Sequence, residues 1–280
     1  MTTSIQLTSI RVAFVGGGNM ANAILGGLVQ QGLAASSICV VEPVQAVREQ
    51  LAQQWGVQAA ANAAQASTQL QQAQLVVWAV KPQVFQAAAA PVAPWVAQAL
   101  HLSVAAGIPT ASLTQWLNTP RVVRAMPNTP ALIGQGMTGL FANPAVNSED
   151  RQLAEQVMHS VGQTVWLQDE AHMDAVTALS GSGPAYVFYV LEAMIQAGTQ
   201  MGLSATQARQ LAIQTFKGAS ALAEGSPDTP EVLRQRVTSK GGTTHAAISS
   251  LEADQVGALF IKALHAARDR GEEMGKEFGA

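Results

Sequence analysis

Up to Met126 the chain alternates short apolar or β-branched runs with longer Ala/Gln/Leu-rich stretches of helical spacing, and that alternation predicts βαβ units. The predicted strands are Val12–Val15, Ile38–Glu42, Gln58–Ala60, Leu75–Val80, Leu102–Ala105 and Val122–Met126. Apolar runs with helices between them belong to strands buried on both faces, so the expected fold is α/β with a doubly wound parallel sheet. Met137–Leu140 and Thr164–Leu167 are candidates for extra strands at the sheet edge, flanking a helix that opens at Ser148-Glu-Asp150 and ends near Ser160. Beyond Leu167 the strand signals stop. The remainder predicts helices with starts at Ser182-Gly-Pro184, Ser204-Ala-Thr-Gln207 and Thr229-Pro-Glu231. The expected division is an α/β domain over 1–168 and an all-helical domain over 169–280. Within the latter, Ala185–Met201 is apolar nearly all round, which places it at the centre of the fold or in a subunit interface.

The first predicted strand breaks into Val15-Gly-Gly-Gly-Asn-Met-Ala21. Gly16, Gly18 and Ala21 stand at the spacing G-x-G-x-x-A: a turn, a close backbone approach to a pyrophosphate, and a small residue for helix–strand packing. Asn19 and Met20 then open a helix whose free N–H groups face that phosphate. Glycine clusters also serve as plain turns, but strand before, helix after and βα repeats downstream favour a Rossmann-type dinucleotide-binding domain. Three further loops follow predicted strands and would rim the same crevice: Val80-Lys-Pro82, Ala105-Ala-Gly107 and Met126-Pro-Asn-Thr-Pro130. Lys81 suits a phosphate or ribose, and Asn128 offers both a donor and an acceptor to a ribose or carboxamide. Ala105–Gly107 reads equally well as a turn. Glu42, directly after the second strand, stands where an acid accepts ribose hydroxyls and repels a 2′-phosphate, which points to NADH; it is equally readable as a helix-start acid beside Pro43. The spacing of Arg48 favours a solvated helix face over a phosphate contact.

The 280 residues are 48% hydrophobic and only 12% charged, which leaves weakly polar surface for a homo-oligomer to cover. A net charge of −3 without any Lys/Arg run disfavours nucleic acid and anionic membranes as partners. The apolar region Ala87–Ile108 is interrupted by Pro91, Pro94, Gln98 and His101, so it makes a poor membrane span. No secretory leader is visible, and a cytoplasmic location is expected. Cys39 reads as a buried strand residue. His101, His159, His172, His245 and His265 lack paired ligand spacing, so no metal site is expected, although His245 adjoins a glycine-rich loop. Met20, Met126 and Met137 read as core or crevice wall.

Two glycine-rich loops mark the helical half, Ser180-Gly-Ser-Gly-Pro-Ala-Tyr186 and Thr238-Ser-Lys-Gly-Gly-Thr-Thr-His245. Each sets small and hydroxyl residues at a helix start, where unpaired N–H groups can hold a carboxylate. The alternative for each is ordinary capping, by Ser182 or Thr243. With Ala79-Val-Lys-Pro82, Ser103-Val-Ala-Ala-Gly107, Arg124-Ala-Met-Pro-Asn-Thr-Pro130 and Val237-Thr-Ser-Lys-Gly-Gly-Thr-Thr244, these motifs run in order through nearly the whole chain, which thereby resembles the pyrroline-5-carboxylate reductase family.

That resemblance implies NADPH or NADH bound by the first domain, on Gly16, Gly18, Asn19, Met20, Glu42, Val80, Lys81, Pro82, Ala105, Gly107 and Asn128. It implies a helical domain that binds the substrate and forms a homodimer, with a decamer as a further assembly. The reaction is reduction of the cyclic imine 1-pyrroline-5-carboxylate to L-proline. Thr244 would hydrogen-bond the ring nitrogen, Gly241, Gly242 and Thr243 would receive the carboxylate beside it, and Ser182 would wall the pocket. An acid in Glu224-Gly-Ser-Pro-Asp228 falls where some relatives place a carboxylate near the substrate. Many relatives that use NADPH carry small hydroxyl or basic residues in place of Glu42. Gly181–Leu191 holds no Lys or His, which suits imine rather than alcohol chemistry, since reducing a protonated imine needs no strong base. Two other readings stay open: a reductase of a related piperideine-type imine, and a non-catalytic NAD(P)-sensing module.

Overall fold

The computed structural model describes residues 7–279 and divides into two compact units. One runs to Ser182 and takes in the chain again from Ala267; the other is Gly183–Ala266. Residues 169–182 and those from Ala267 onward thus group by packing with the sheet.

Strands β1 (Val12–Val15), β2 (Ile38–Val41), β3 (Ala59–Ala60), β4 (Leu75–Trp78), β5 (Leu100–Ser103), β6 (Val122–Met126), β7 (Gly136–Ala142) and β8 (Gly162–Trp166) form one sheet. Their order is β3-β2-β1-β4-β5-β6-β7-β8. From β1 to β6 all pairings are parallel; β7 runs antiparallel to β6 and parallel to β8. The first six strands follow the doubly wound order, with its switch point between β1 and β4. Helices α1 (Asn19–Gln30), α2 (Gln45–Trp55), α3 (Ser67–Gln71), α4 (Phe85–Ala89), α5 (Thr110–Leu117) and α6 (Ser148–His159) lie between the strands in sequence. Several element limits differ by one or two residues from those expected, and two of the differences have a local cause. Strand β5 starts and ends earlier than Leu102–Ala105, because the Ser103 hydroxyl accepts the Ala105 N–H at 3.3 Å and turns the chain. The N-cap of α6 is Asn147, whose side chain accepts the Asp150 N–H, rather than Ser148.

The two-residue period of the strands sorts their side chains into two cores. Val12, Phe14, Val40, Leu75 and Val77 pack on one face, and Ala13, Val15, Val41, Val76 and Trp78 on the other. Both faces are dry, which is why these strands read as continuous apolar runs. His101 of β5 is fully buried on the second face. Its Nδ1 accepts the Trp78 indole N–H at 3.0 Å, so its Nε2 is the donor to Val96 O at 3.2 Å. Burial lowers its pKa to about 4, so the ring is neutral at physiological pH.

After β8 the chain enters α7 (Met173–Val176) and a π-helical turn over Thr177–Gly181. The other unit contains α8 (Gly183–Gln200), α9 (Ala205–Glu224), α10 (Pro230–Arg236), α11 (Thr243–Ala253) and the start of α12 (Val256–Phe278), whose later residues belong to the first unit. The expected caps at Ser204 and Thr229 are formed, Ser204 with Gln207 as a full capping box. Gly198 approaches Ala208 so closely that an added Cβ would stand 2.9 Å from the Ala208 Cβ. Tyr186, Leu191 and Ile195 of α8 are half-buried, and its other large side chains are open. Phe188 is 58% exposed and Tyr189 75%, which excludes central burial of Ala185–Met201 within its own chain and leaves the interface alternative.

Candidate functional site

The glycine turn after β1 is built by close approach. Gly16 has φ +92°, and a Cβ on it would lie 2.6 Å from Ala79 O, at the switch point. Its N–H donates to Val41 O at 2.9 Å, so the turn is tied to β2 as well. A Cβ on Gly18 would meet nothing within 4 Å. Gly18 is the N-cap of α1 without a side-chain cap, and the first intrahelical bond comes from Asn22 N–H to Gly18 O at 2.8 Å. The N–H groups of Asn19, Met20 and Ala21 therefore have no intrahelical acceptor. A turn that must be glycine for the fold beside one that is glycine for open space is what a dinucleotide cradle requires, and these residues fit the group.

Glu42 closes the cradle from β2. It is buried, Oε2 accepts the Gly17 N–H and Oε1 accepts the Val44 N–H, each at 2.8 Å. The Arg48 guanidinium is half-buried and donates through Nη1 to Glu42 O and Pro43 O.

Because β1, β4, β5 and β6 are adjacent and parallel, the four loops containing Gly16–Gly18, Val80–Pro82, Ala105–Gly107 and Asn128 all leave the same end of the sheet. Val80 and Pro82 are half-buried and Lys81 is exposed there. Ala105 is buried, and Gly107 has φ +79° with its would-be Cβ 3.1 Å from the Cβ of Met274 on α12. The glycine at 107 is therefore explained by helix packing. Asn128 spends its amide inside the protein: Nδ2 donates to Ser180 O at 3.1 Å and Oδ1 accepts the Met137 N–H at 2.9 Å.

Those bonds bear on Ser180–Tyr186, where α8 starts at Gly183 within the expected Ser182-Gly-Pro184 and the residues before it form a π turn rather than an open loop. The Ser182 N–H donates to Thr177 O at 2.8 Å, an i→i−5 bond, and α8 starts at Gly183, one residue after the π turn. An added Cβ at Gly181 would strike Met126 Cε at 2.6 Å, so the turn is seated on the end of β6. Ser182 neither caps α8 as a free N-terminus would require nor leaves its N–H open. Single π turns are over-represented at functional sites.

The frame beneath these loops includes residues whose pattern was not read as functional. Arg124, buried in the otherwise apolar β6, donates to Glu170 Oε1 at 2.6 Å. Glu170 also accepts the Thr110 N–H at 2.7 Å and the Thr110 hydroxyl at 2.6 Å, fastening the start of α5. Asp174 sits nearby with its pKa raised by burial and drawn back by Arg124. A lone arginine inside an apolar strand was the available signal, since a buried guanidinium demands an acidic partner.

In the helical unit, Gly241 takes φ +75° with open space around its Cβ position, and Gly242 is the N-cap of α11. No side chain caps this helix, and no acid stands in its first turn. Capping by Thr243 is thus not realised. The first helical bond runs from Ala246 N–H to Gly242 O at 3.1 Å, leaving the N–H groups of Thr243, Thr244 and His245 without intrahelical acceptors. Thr244 is half-buried there and Thr243 exposed. Asp228 is ion-paired with Arg236. His245 lines a groove of about 160 Å³ with Arg234, Thr238 and Glu252 between α10 and α11. Among the described residues no group of three or more His, Cys, Asp or Glu is placed to hold a metal ion. Burial pushes the Cys39 thiol up to about 11, which keeps it protonated and inert as a nucleophile.

A doubly wound sheet with an open glycine cradle, followed by a helical unit with an exposed apolar face, defines a dinucleotide-dependent oxidoreductase with a dimerising domain. The family model for pyrroline-5-carboxylate reductase dimerisation matches residues 170–274, and that for coenzyme F420-dependent NADP oxidoreductases matches residues 11–107. The pyrroline-5-carboxylate reductase of Pseudomonas aeruginosa is 44% identical over 98% of this chain and 100% of its own length. Among solved structures, that of the Coxiella burnetii pyrroline-5-carboxylate reductase superposes with a TM-score of 0.88 at 38% identity, covering 95% of this chain and 98% of that one. The Plasmodium falciparum pyrroline carboxylate reductase, solved with NADP bound, gives a TM-score of 0.85 at 26% identity over 96% of this chain and 100% of that one. The chain belongs to the pyrroline-5-carboxylate reductase family.

Proposed function

We propose that this protein reduces 1-pyrroline-5-carboxylate to L-proline, the last step of proline biosynthesis, with NADH or NADPH as reductant. The observation that carries the reading is the pair of glycine-capped helix starts, α1 and α11, both free of side-chain caps and of first-turn acids. Two such starts suit two anionic groups, a pyrophosphate and a carboxylate. Gly16, Gly18, Asn19 and Met20 would hold the pyrophosphate, Glu42 the adenosine ribose, and Val80, Lys81, Pro82 and Ala105 the rest of the nucleotide. Gly107 and Asn128 would act by shaping their loops. A nicotinamide nucleotide held by these residues would supply the hydride that reduces the imine.

The chain's own part is binding and orientation. The N–H groups around Gly241, Gly242 and Thr243 would receive the substrate carboxylate, which fixes the ring. The Thr244 hydroxyl would hydrogen-bond the ring nitrogen, and Ser182 would contribute a wall. No side chain is asked to be a strong base, in keeping with an already protonated imine. The homodimer, its assembly into a decamer and a cytoplasmic location belong to the same proposal. The domain limits do as well, with the nucleotide domain over 1–168 and the substrate domain over 169–280.

Thr244→Ala tests the assignment. It is expected to lower kcat about 10- to 100-fold while the Kd for NADH or NADPH stays within about twofold. Steady-state kinetics beside a nucleotide titration reads both, and equal loss of both would remove Thr244 from the pocket. Assays with the six-membered piperideine-carboxylate in parallel set the ring size, and tight nucleotide binding without turnover would restore a sensing role.

A further inference from the structure

We propose that Glu42 makes this chain select the nucleotide without a 2′-phosphate, NADH over NADPH. The inference rests on Gly16–Gly18 being the dinucleotide cradle and concerns what that cradle refuses. Glu42 stands at the end of β2 with its own N–H tied to Ala60 O at 2.9 Å, and it is only 8% exposed. Its two carboxylate oxygens accept from Gly17 and Val44, one N–H each. Each oxygen keeps a free lone pair, so the group can accept both hydroxyls of a ribose diol. It cannot accept a phosphate dianion, which brings more negative charge and no donor.

Two observations prevent the usual escapes. Swinging Glu42 aside would strand the Gly17 and Val44 N–H groups, so the carboxylate is held where it is. Arg48, the neighbouring cation that could offset the phosphate, spends its Nη1 on Glu42 O at 2.9 Å and Pro43 O at 2.7 Å, holding the turn itself. Arg11 stands just before β1, at the other end of that strand from the cradle, and is bonded to Gln72. The carboxylate thus combines positive recognition of the diol with rejection of its phosphorylated form.

Titrating the purified protein with NADH and NADPH by nucleotide fluorescence, and with ADP-ribose and 2′-phospho-ADP-ribose by calorimetry, tests this without turnover. The unphosphorylated member of each pair is expected to bind at least about tenfold tighter, and Glu42→Gln to shrink that ratio at least about fivefold. General damage to the turn would weaken both members equally and leave the ratio alone. The wild-type ratios need no variant, so a substitution that misfolds does not remove the test. NADPH bound as tightly as NADH, or a ratio unmoved in a folded Glu42→Gln protein, overturns the proposal and leaves the cradle reading standing. Binding of neither nucleotide overturns both.

Discussion

In the sheet unit, strands such as β1, β4 and β5 are buried along their whole length by packing within that unit, whereas in Gly183–Ala266 only Gly198, Ala208 and Ala212 are buried. Meanwhile Phe188, Tyr189, Leu211, Leu222, Leu259 and Phe260 lie on that unit's surface. Both regions are rich in apolar residues. The difference is where those residues find partners: period-2 alternation feeds two cores within one chain, while helices apolar nearly all round need a surface that the chain does not supply. The region matches a dimerisation family, and in the proposed homodimer a second copy would supply that surface.

The strongest test of that contrast is a charge on the open helix. Phe188→Glu is expected to destabilise association by about 4 kcal/mol, roughly a thousandfold in Kd, and to abolish turnover with it. Light scattering and the nucleotide-oxidation assay would detect the change. A fully active dimer would place α8 outside the interface. Next in size is Gly16→Ala, for which the positive φ and the 2.6 Å approach to Ala79 O predict a loss of about 3 kcal/mol or more of stability. Gly18→Ala provides the contrast within the same turn, with stability changed by less than about 0.5 kcal/mol and nucleotide affinity reduced at least about tenfold. Denaturant melts and titrations of the two variants separate fold from binding, and equal effects in both would dissolve the distinction.

The third test concerns the buried core of the sheet unit. The folded-state pKa of His101 lies below its ordinary value, so folding opposes protonation. Its contribution is complete above about pH 6.5, declines as the unfolded chain takes up a proton, and levels off below about pH 4, a total near 3 kcal/mol. His101→Gln keeps an acceptor for Trp78 and a donor for Val96 and should remove that share of the acid sensitivity. Denaturation midpoints at pH 7 and pH 4.5 would show it, and identical pH dependence in both proteins would contradict the assignment.

What was legible in the sequence was what local chemistry decides. β1 and β6 match their predicted limits because apolar, β-branched runs are bounded by Gly16 and by Pro127. The capping box at Ser204 and the cap at Thr229 follow from spacing alone. What was not legible depends on partners distant along the chain. Ser180 and Gly181 have the composition of a loop, yet Asn128 and Met126, over fifty residues earlier, meet them in a π turn. Arg124 shows its meaning only with Glu170 and Thr110 beside it. Glu42 was recognised from its position, but nothing local reveals that Gly17 donates to it or that Arg48 is already occupied. The two helix starts at Gly18 and Gly242 were found from glycine spacing, and their lack of side-chain caps is a structural addition.

The last turns of α12 set Met274 against Gly107, Gly271 against Asp174, and Gly279 O as acceptor for the Ser112 hydroxyl. These residues are translated after the entire helical unit, yet they seal the α/β unit begun at the other end of the chain. Vectorial synthesis therefore cannot finish the first unit first: on the ribosome the sheet waits, with the Gly107 and Ser112 side uncovered, until residues 271–279 have been made.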